Sequence, residues 1–291
     1  MNPLIIFLVF FIFIYQLIKE ISLNRSLNKS LNRTLNRNII ICGLAKDVSK
    51  TITKNLDDLL EVGSYFSDKT KIIVVESNST DNTVNLLHKW DSEHPGIMTL
   101  STNTRTNYDT IYSSDGYSLS SNRFKKMAAL RNTYMKLMEK IPWYGDNDTY
   151  VIIVDLDLRD VNPENVIKII EKYSTRSNWN VLCATGLEEC KGRSDCQFEG
   201  QHYYDSLALR FLDEEQVTLD NLRKHEIRAW NTFRSRGDPD LPVKSCFGGL
   251  SIYRSSALKD LTYEGNDCEH VSLLRKISFG IFSLPKMVVY Y

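Results

Sequence analysis

The sequence predicts an α/β fold in which helices flank a mostly parallel β-sheet. From Asn38 onward, short apolar runs alternate with amphipathic segments, and this alternation is typical of βαβ units. The 291 residues are 42% hydrophobic and 25% charged, which is enough apolar material for a large core. Thirty-six basic residues balance thirty-six acidic ones, so the charge does not indicate a nucleic-acid partner.

The first 21 residues predict a transmembrane signal anchor. Residues 4–18 are almost wholly apolar, and no charge occurs before Lys19. A spanning helix needs about 20 residues, and Pro3 and Ile21 can extend the run. No small-residue cleavage site follows, so we expect a single-pass membrane protein, with a cleaved signal peptide as the alternative.

The basic residues that follow the anchor bear on its orientation. They all lie after the apolar segment and none precedes it, which favours a cytosolic catalytic part by the positive-inside rule. Residues 22–38 then repeat a four-residue unit with leucine at every fourth position. This region is predicted to be a low-complexity stem.

The elements of the sheet follow in order from residue 39. Apolar runs predict strands, and amphipathic periodicity predicts helices between them. The predicted strands are residues 39–41, 71–75, 96–100 and 150–154, and the predicted helices are residues 50–62, 80–90 and 123–140. Ligands of such sheets bind at the carboxyl ends of the strands.

Two acids follow the last of these strands, in the sequence VIIVDLDL of residues 151–158. Asp155 and Asp157 are two residues apart, so their side chains leave an extended chain on the same side. Mg²⁺ and Mn²⁺ prefer oxygen ligands and commonly bind through one or two carboxylates together with substrate phosphates. The pattern therefore predicts that Asp155 and Asp157 bind a divalent metal, with Asp155 also close to a bound nucleotide.

An earlier strand ends in a similar way, in VVESNSTDNT at residues 74–83. Glu76 stands at the strand tip, followed by Ser77 and by Asp81 in the first turn of a helix. This is either a ligand site or a capped helix with no further role.

These segments resemble motifs of the GT-A glycosyltransferases. VVESNSTDNT is similar to V-V-D-D-G-S-T-D-G-T, residues 127–132 resemble A-x-x-R-N, and VIIVDLDL resembles the D-x-D metal-binding strand. The resemblance implies a Rossmann-like GT-A domain over residues 39–291, with a nucleotide-sugar half at 39–160 and an acceptor half at 161–291. It further implies Mn²⁺ or Mg²⁺ as cofactor.

The same resemblance implies the residues that bind the nucleotide sugar. Glu76 stands at the acid that contacts the nucleotide, with Ser77 and Asp81 beside it. Separately, the charge of a diphosphate makes Arg131, with Lys125 or Lys126, candidates to lie against it; the alternative is a basic helix face that is simply solvated.

The second half resembles fungal capsule-type α-1,3-mannosyltransferases. Residues 204–210 are similar to Y-D-x-x-x-x-R, and residues 245–249 resemble S-C-W-N-G, with Phe247 and Gly248 in place of Trp and Asn. The resemblance implies GDP-mannose as donor, a glycan or glycoprotein acceptor, and a type II protein with a lumenal domain in the ER or Golgi. It opposes the orientation that the flanking charges favour.

A late polar segment, YEGNDCEHV at residues 263–271, supplies the candidate catalytic acids. Glu269 or Asp267 could deprotonate the acceptor in an inverting enzyme. A retaining enzyme needs no such base, and Glu269 would then orient the acceptor. His270 is either a third metal ligand or a structural histidine.

Six cysteines show no C-x-x-C spacing, so a zinc site is not expected. Cys190 with Cys196, and Cys246 with Cys268, could form disulfides in an oxidising compartment. Two alternative functions stay open. The first is a nucleotidyltransferase, which would ordinarily carry a Gly-rich phosphate loop after its first strand; residues 42–47 do not form such a loop. The second is an inactive, membrane-tethered glycan-binding protein.

Overall fold

The predicted alternation of strands and helices is confirmed by the computed structural model, which describes residues 36–107, 121–189, 201–214, 216–233 and 239–291. Its strands are β1 (Asn38–Ala45), β2 (Thr70–Glu76), β3 (Met98–Ser101), β4 (Thr149–Asp155), β5 (Val181–Glu189), β6 (Gln201–Tyr203), β7 (Leu241–Pro242), β8 (Leu250–Arg254) and β9 (Ile281–Tyr290). Its helices are α1 (Ile52–Phe66), α2 (Thr83–Glu93), α3 (Ser121–Met138), α4 (Pro163–Ser174), α5 (Leu219–Phe233), α6 (Ser255–Leu258) and α7 (Glu269–Leu274), with a 3₁₀ turn at Ser206–Ala208.

The sheet is mixed, so the prediction of a mostly parallel sheet is wrong for its second half. The strand order is β3-β2-β1-β4-β8-β5-β9-β7, and β6 pairs with β5. The first four strands are parallel, whereas β8 runs antiparallel between β4 and β5. The reason lies in the loop before β8. The Asp155 amide donates to the Gly249 carbonyl at 2.9 Å, so β8 starts at the carboxyl end of β4 and must run back.

Both faces of the sheet are covered, which explains the continuous apolar runs. Ile39 and Ile41 of β1 pack in the core beneath α1, and Ile40 packs on the opposite face with residues of α3. The register sets Ala45 opposite Glu76 and Leu44 opposite Asp155. Glu76 and Asp155 therefore end two strands on either side of β1, about 10 Å apart at the backbone.

A disulfide joins β5 to the loop before β8. It links Cys183 to Cys246, with Cα atoms 5.9 Å apart, so the predicted Cys246–Cys268 pair is wrong. Cys268 is a buried free thiol. The correct partner follows from the sheet order, because the strand that carries Cys183 lies beside the loop that carries Cys246. The predicted Cys190–Cys196 pair lies outside the described residues.

Within the described ranges, no helix is both long enough and apolar enough to cross a membrane. The predicted anchor, residues 1–21, lies outside those ranges, and so do residues 22–35 of the predicted stem.

Candidate active site

The tip of β4 presents the two predicted metal ligands. Leu156 and Leu158 are buried in the core, and the Asn55 side chain of α1 donates to the carbonyls of both, at 3.1 and 2.7 Å. Asp155 is the last residue of β4, and Asp157 lies in the turn that follows. The Asp155 side chain is mostly buried, and Asp157 reaches solvent.

The two carboxylates influence each other electrostatically. Burial and the Asp155 charge raise the pKa of Asp157 to about 7; although Asp157 reaches solvent, protein atoms surround most of it. Burial also raises the pKa of Asp155, and the Arg131 guanidinium lowers it in part. A divalent cation would relieve this repulsion, and oxygen donors suit Mg²⁺ or Mn²⁺. The donor set therefore fits the implied metal.

Arg131 lies behind this pair rather than in an open cleft. It is 2% exposed, and its Nε donates to Glu269 Oε1 at 3.0 Å. Its Nη2 donates to Asp155 Oδ1 at 3.4 Å, and its guanidinium lies 5.1 Å from the centre of the Phe247 ring. Arg131 thus joins the tip of β4 to the late polar segment and holds Asp155 in position. Lys126, five residues earlier on α3, is half-buried.

The two late acids are both engaged by arginines. Glu269 is 5% exposed and pairs with Arg131. Asp267 pairs with Arg210 at 3.0 Å and with Arg275 at 2.9 Å, and it also accepts from the Cys268 amide at 2.7 Å. In this structure, Asp267 stabilises the segment before α7, and Glu269 stabilises Arg131.

His270 is buried against aromatic rings. It stacks on Phe247 with ring centres 3.8 Å apart, and among the described residues neither ring nitrogen has a hydrogen-bond partner. The structure does not assemble it with Asp155 and Asp157. Within the described ranges, no group of three or more His, Cys, Asp or Glu side chains is arranged to hold a metal ion. Two carboxylates completed by phosphate oxygens remain compatible with the fold.

Glu76 organises loops at the end of β2. It is fully buried, and its two carboxylate oxygens accept from the backbone amides of Ser79 at 2.5 Å and Asn103 at 2.7 Å. The Ser77 amide donates to the Ala45 carbonyl at 3.0 Å. Glu76 therefore shapes the predicted nucleotide site through the backbone of two loops.

Asp81 has a comparable role between the loops after β1 and β2. It accepts from the Ser49 amide at 3.0 Å and from the Thr83 amide at 2.9 Å. Hydrogen bonds from the Ser49 and Thr83 side chains, together with these backbone bonds, hold the pKa of Asp81 well below the usual range. Asp47 accepts from the Thr80 amide at 2.6 Å. Glu76 and Asp81 thus tie the loop after β2 to the loops after β3 and β1.

Sequence reasoning assigned no role to two aromatic residues that lie beside the tip of β4. Tyr291 donates its hydroxyl to Asp155 Oδ2 at 2.7 Å, and its ring stacks on Tyr204 with centres 3.4 Å apart. A Cβ on Gly249, which has φ +87°, would lie 2.4 Å from the Tyr291 hydroxyl. The only sequence signal was the Tyr204–Asp205 dipeptide of the mannosyltransferase-like motif.

The fold is similar to that of one solved mannosyltransferase, and two further solved glycosyltransferases match less closely. The mannosyltransferase PcManGT from Pyrobaculum calidifontis, solved with GDP-Man and Mn²⁺, is 15% identical, with a TM-score of 0.52 over 89% of this chain and 58% of that one. TarS from S. aureus is 18% identical, with a TM-score of 0.44 over 87% and 60%. Glucosyl-3-phosphoglycerate synthase from Mycobacterium tuberculosis, solved with Mn²⁺, UDP and phosphoglyceric acid, is 13% identical, with a TM-score of 0.41 over 83% and 64%.

The chain spans less than two thirds of the length of each of these three proteins. No curated protein matches the sequence. The family model described as "Cryptococcal mannosyltransferase 1" matches residues 38–277, which is most of the chain and includes the β4 tip and the late acids. This chain therefore belongs to the cryptococcal mannosyltransferase 1 family of glycosyltransferases, with the GT-A-like fold that its motifs predict.

Proposed function

We propose that this protein transfers a mannosyl residue from GDP-mannose to a hydroxyl group of a glycan or glycoprotein, with Mn²⁺ or Mg²⁺ at Asp155 and Asp157. The observation that carries the proposal is the β4 tip, where the Asp155 and Asp157 carboxylates stand two residues apart at the carboxyl edge of the sheet. Burial and the Asp155 charge raise the pKa of Asp157, which a bound cation would offset. The family match supports the sugar.

Each part of the site has a distinct task in this reaction. Asp157 and Asp155 would hold the metal, which supplies positive charge against the leaving diphosphate. Arg131 keeps Asp155 oriented from behind. The nucleotide would bind at the loops that Glu76 and Asp81 hold in place. Strand β1 separates the strand that ends at Glu76 from the strand that ends at Asp155.

The arginine contacts of Glu269 and Asp267 favour a mechanism without a general base from this segment. Both carboxylates already accept hydrogen bonds from guanidinium groups, and taking a proton from an acceptor hydroxyl would require these contacts to be given up. This arrangement is consistent with retention of configuration.

The location of the domain is also a proposal. We propose that residues 1–21 anchor the protein and that the catalytic domain faces the lumen. The Cys183–Cys246 disulfide supports the lumenal orientation over the cytosolic one that the flanking charges favour, because disulfides persist in oxidising compartments.

The test is calorimetry with GDP and Mn²⁺ on the full chain in detergent. Asp157→Asn should abolish the metal-dependent part of GDP affinity and leave the unfolding midpoint unchanged, because this side chain reaches solvent. Asp160→Asn is the matched control, since Asp160 is a half-exposed acid three residues later that pairs with Lys54. Unchanged metal-dependent affinity in Asp157→Asn would remove the metal site.

Measuring the hydrolysis of a panel of nucleotide sugars with and without Mn²⁺ then separates the alternatives. A glycosyltransferase hydrolyses one donor slowly in a metal-dependent manner. An inactive glycan-binding protein hydrolyses none, and a nucleotidyltransferase acts on the nucleoside triphosphate instead.

A further inference from the structure

A tight turn after β6 places an acidic side chain beside the candidate active site. Asp205 has φ +61°, a left-handed conformation that is uncommon for residues other than glycine. It precedes the 3₁₀ turn, and the Ala208 amide donates to the Asp205 carbonyl at 3.0 Å. Such conformations persist where the surroundings hold them, and they concentrate at functional sites.

The surroundings of this turn hold it firmly. The Tyr204 amide donates to the Gly186 carbonyl at 2.9 Å. On the other side, the Arg210 guanidinium donates to the carbonyls of Leu207 and Leu209 at 2.9 and 2.7 Å. The Ser245 hydroxyl donates to the Ala208 carbonyl at 2.7 Å. The turn is therefore held by contacts to the backbone of the residues around Asp205, and these contacts do not involve the Asp205 carboxylate.

The turn that carries Asp205 lies close to the tip of β4 and to the start of α7. Its neighbour Tyr204 stacks on Tyr291, which donates to Asp155, and the 3₁₀ turn packs against α7, which begins at Glu269. Burial, together with the charges of Asp155 and Glu269, raises the pKa of Asp205 well above its usual range, as expected for a nearby carboxylate. Among the described residues, no group hydrogen-bonds to the Asp205 carboxylate.

The position relative to the proposed nucleotide site indicates which part of the donor Asp205 meets. In a nucleotide sugar, the diphosphate lies between the nucleoside and the sugar. The loops of β1 and β2 lie on one side of Asp155, whereas Asp205 follows β6, which pairs with β5 on the opposite side of the sheet. The diphosphate is itself anionic, so a further carboxylate beside it would repel it. The hydroxyl groups of the sugar are neutral, and they donate strong hydrogen bonds to a carboxylate.

We infer that the Asp205 carboxylate accepts hydrogen bonds from hydroxyl groups of the sugar that the donor carries. This inference rests on the proposed function, because it places the sugar relative to the metal ligands. It makes Asp205 a residue that binds the transferred hexose, in addition to the D-x-D pair.

The test compares affinity for GDP with affinity for GDP-mannose, both with Mn²⁺, by calorimetry on the full chain. Asp205→Asn keeps the turn, because asparagine tolerates the left-handed conformation. We expect GDP affinity to stay within about twofold and GDP-mannose affinity to fall roughly tenfold or more, the loss typical of a hydrogen bond to a charged group.

Asp260→Asn is the matched control. Asp260 also has a left-handed backbone, with φ +62°, and it is exposed after α6, so both affinities should equal those of the wild type. Equal losses for GDP and GDP-mannose in Asp205→Asn, or no loss in either, would overturn the inference. Failure of the wild type to bind either ligand would overturn the proposed function, and with it this inference.

Discussion

Replacement of Arg131 by methionine tests whether this residue holds the two halves of the site together. The change removes a guanidinium that lies between Glu269 and Asp155, at 3.0 and 3.4 Å, in a position that is 2% exposed. Both carboxylates would then be left in the interior without their shared cation. Breaking a buried ion pair by removing one partner costs about 3–5 kcal/mol.

For a chain of this size, that loss corresponds to a decrease in Tm on the order of 10 °C. The loss should diminish at lower pH. Without Arg131, the pKa of Asp155 rises further in the folded state, because the guanidinium no longer lowers it. Protonation of Asp155 at lower pH then removes an unpaired buried charge and restores part of the variant's stability. Urea unfolding of the wild type and of Arg131→Met at pH 7.5 and 5.5, followed by tryptophan fluorescence, measures both effects.

The control is Arg159→Met. Arg159 pairs with Glu189, but both side chains are substantially exposed, and such surface pairs contribute about 0–1 kcal/mol. The reasoning would be refuted if Arg131→Met were no less stable than Arg159→Met, or if its deficit stayed the same at both pH values. Either result would mean that Arg131 does not neutralise Glu269 and Asp155 in the folded protein.

Two further predictions concern the core around the site. Replacing both Cys183 and Cys246 with alanine should lower the free energy of unfolding by about 4 kcal/mol, because the disulfide closes a long loop in the unfolded chain. Chemical denaturation measures this loss, and a double variant as stable as the oxidised wild type would argue against the bond. Cys42→Ala controls for the loss of a buried thiol. Burial, aided by the Arg131 charge, holds the pKa of His270 well below its usual range in the folded protein. Below about pH 6.5, the unfolded chain therefore takes up a proton at His270 that the folded chain does not. The free energy of unfolding should then fall by up to about 1.4 kcal/mol per pH unit. His270→Phe should lack this loss, and parallel pH dependences of the two urea midpoints would contradict it.

The order of elements could be predicted because it depends on local patterns. The strand that ends at Asp155 and the strand that ends at Glu76 are each a continuous apolar run followed by a polar turn, and a doubly covered parallel strand requires such a run. The mixed character of the sheet could not be read in this way. The direction of β8 depends on where its preceding loop meets β4, and that contact joins Asp155 to Gly249, which are far apart in the chain.

The sequence by itself determined the family, the strand tips and the acids that stand on them, because each is encoded by residues that are neighbours in the chain. Only the tertiary structure decided which groups act on one another. Arg131 and Glu269 are 138 residues apart, and Cys183 and Cys246 are 63 apart. Such pairs form when strand order and helix packing bring distant segments within a few ångströms, and hydrophobic periodicity carries no information about that distance.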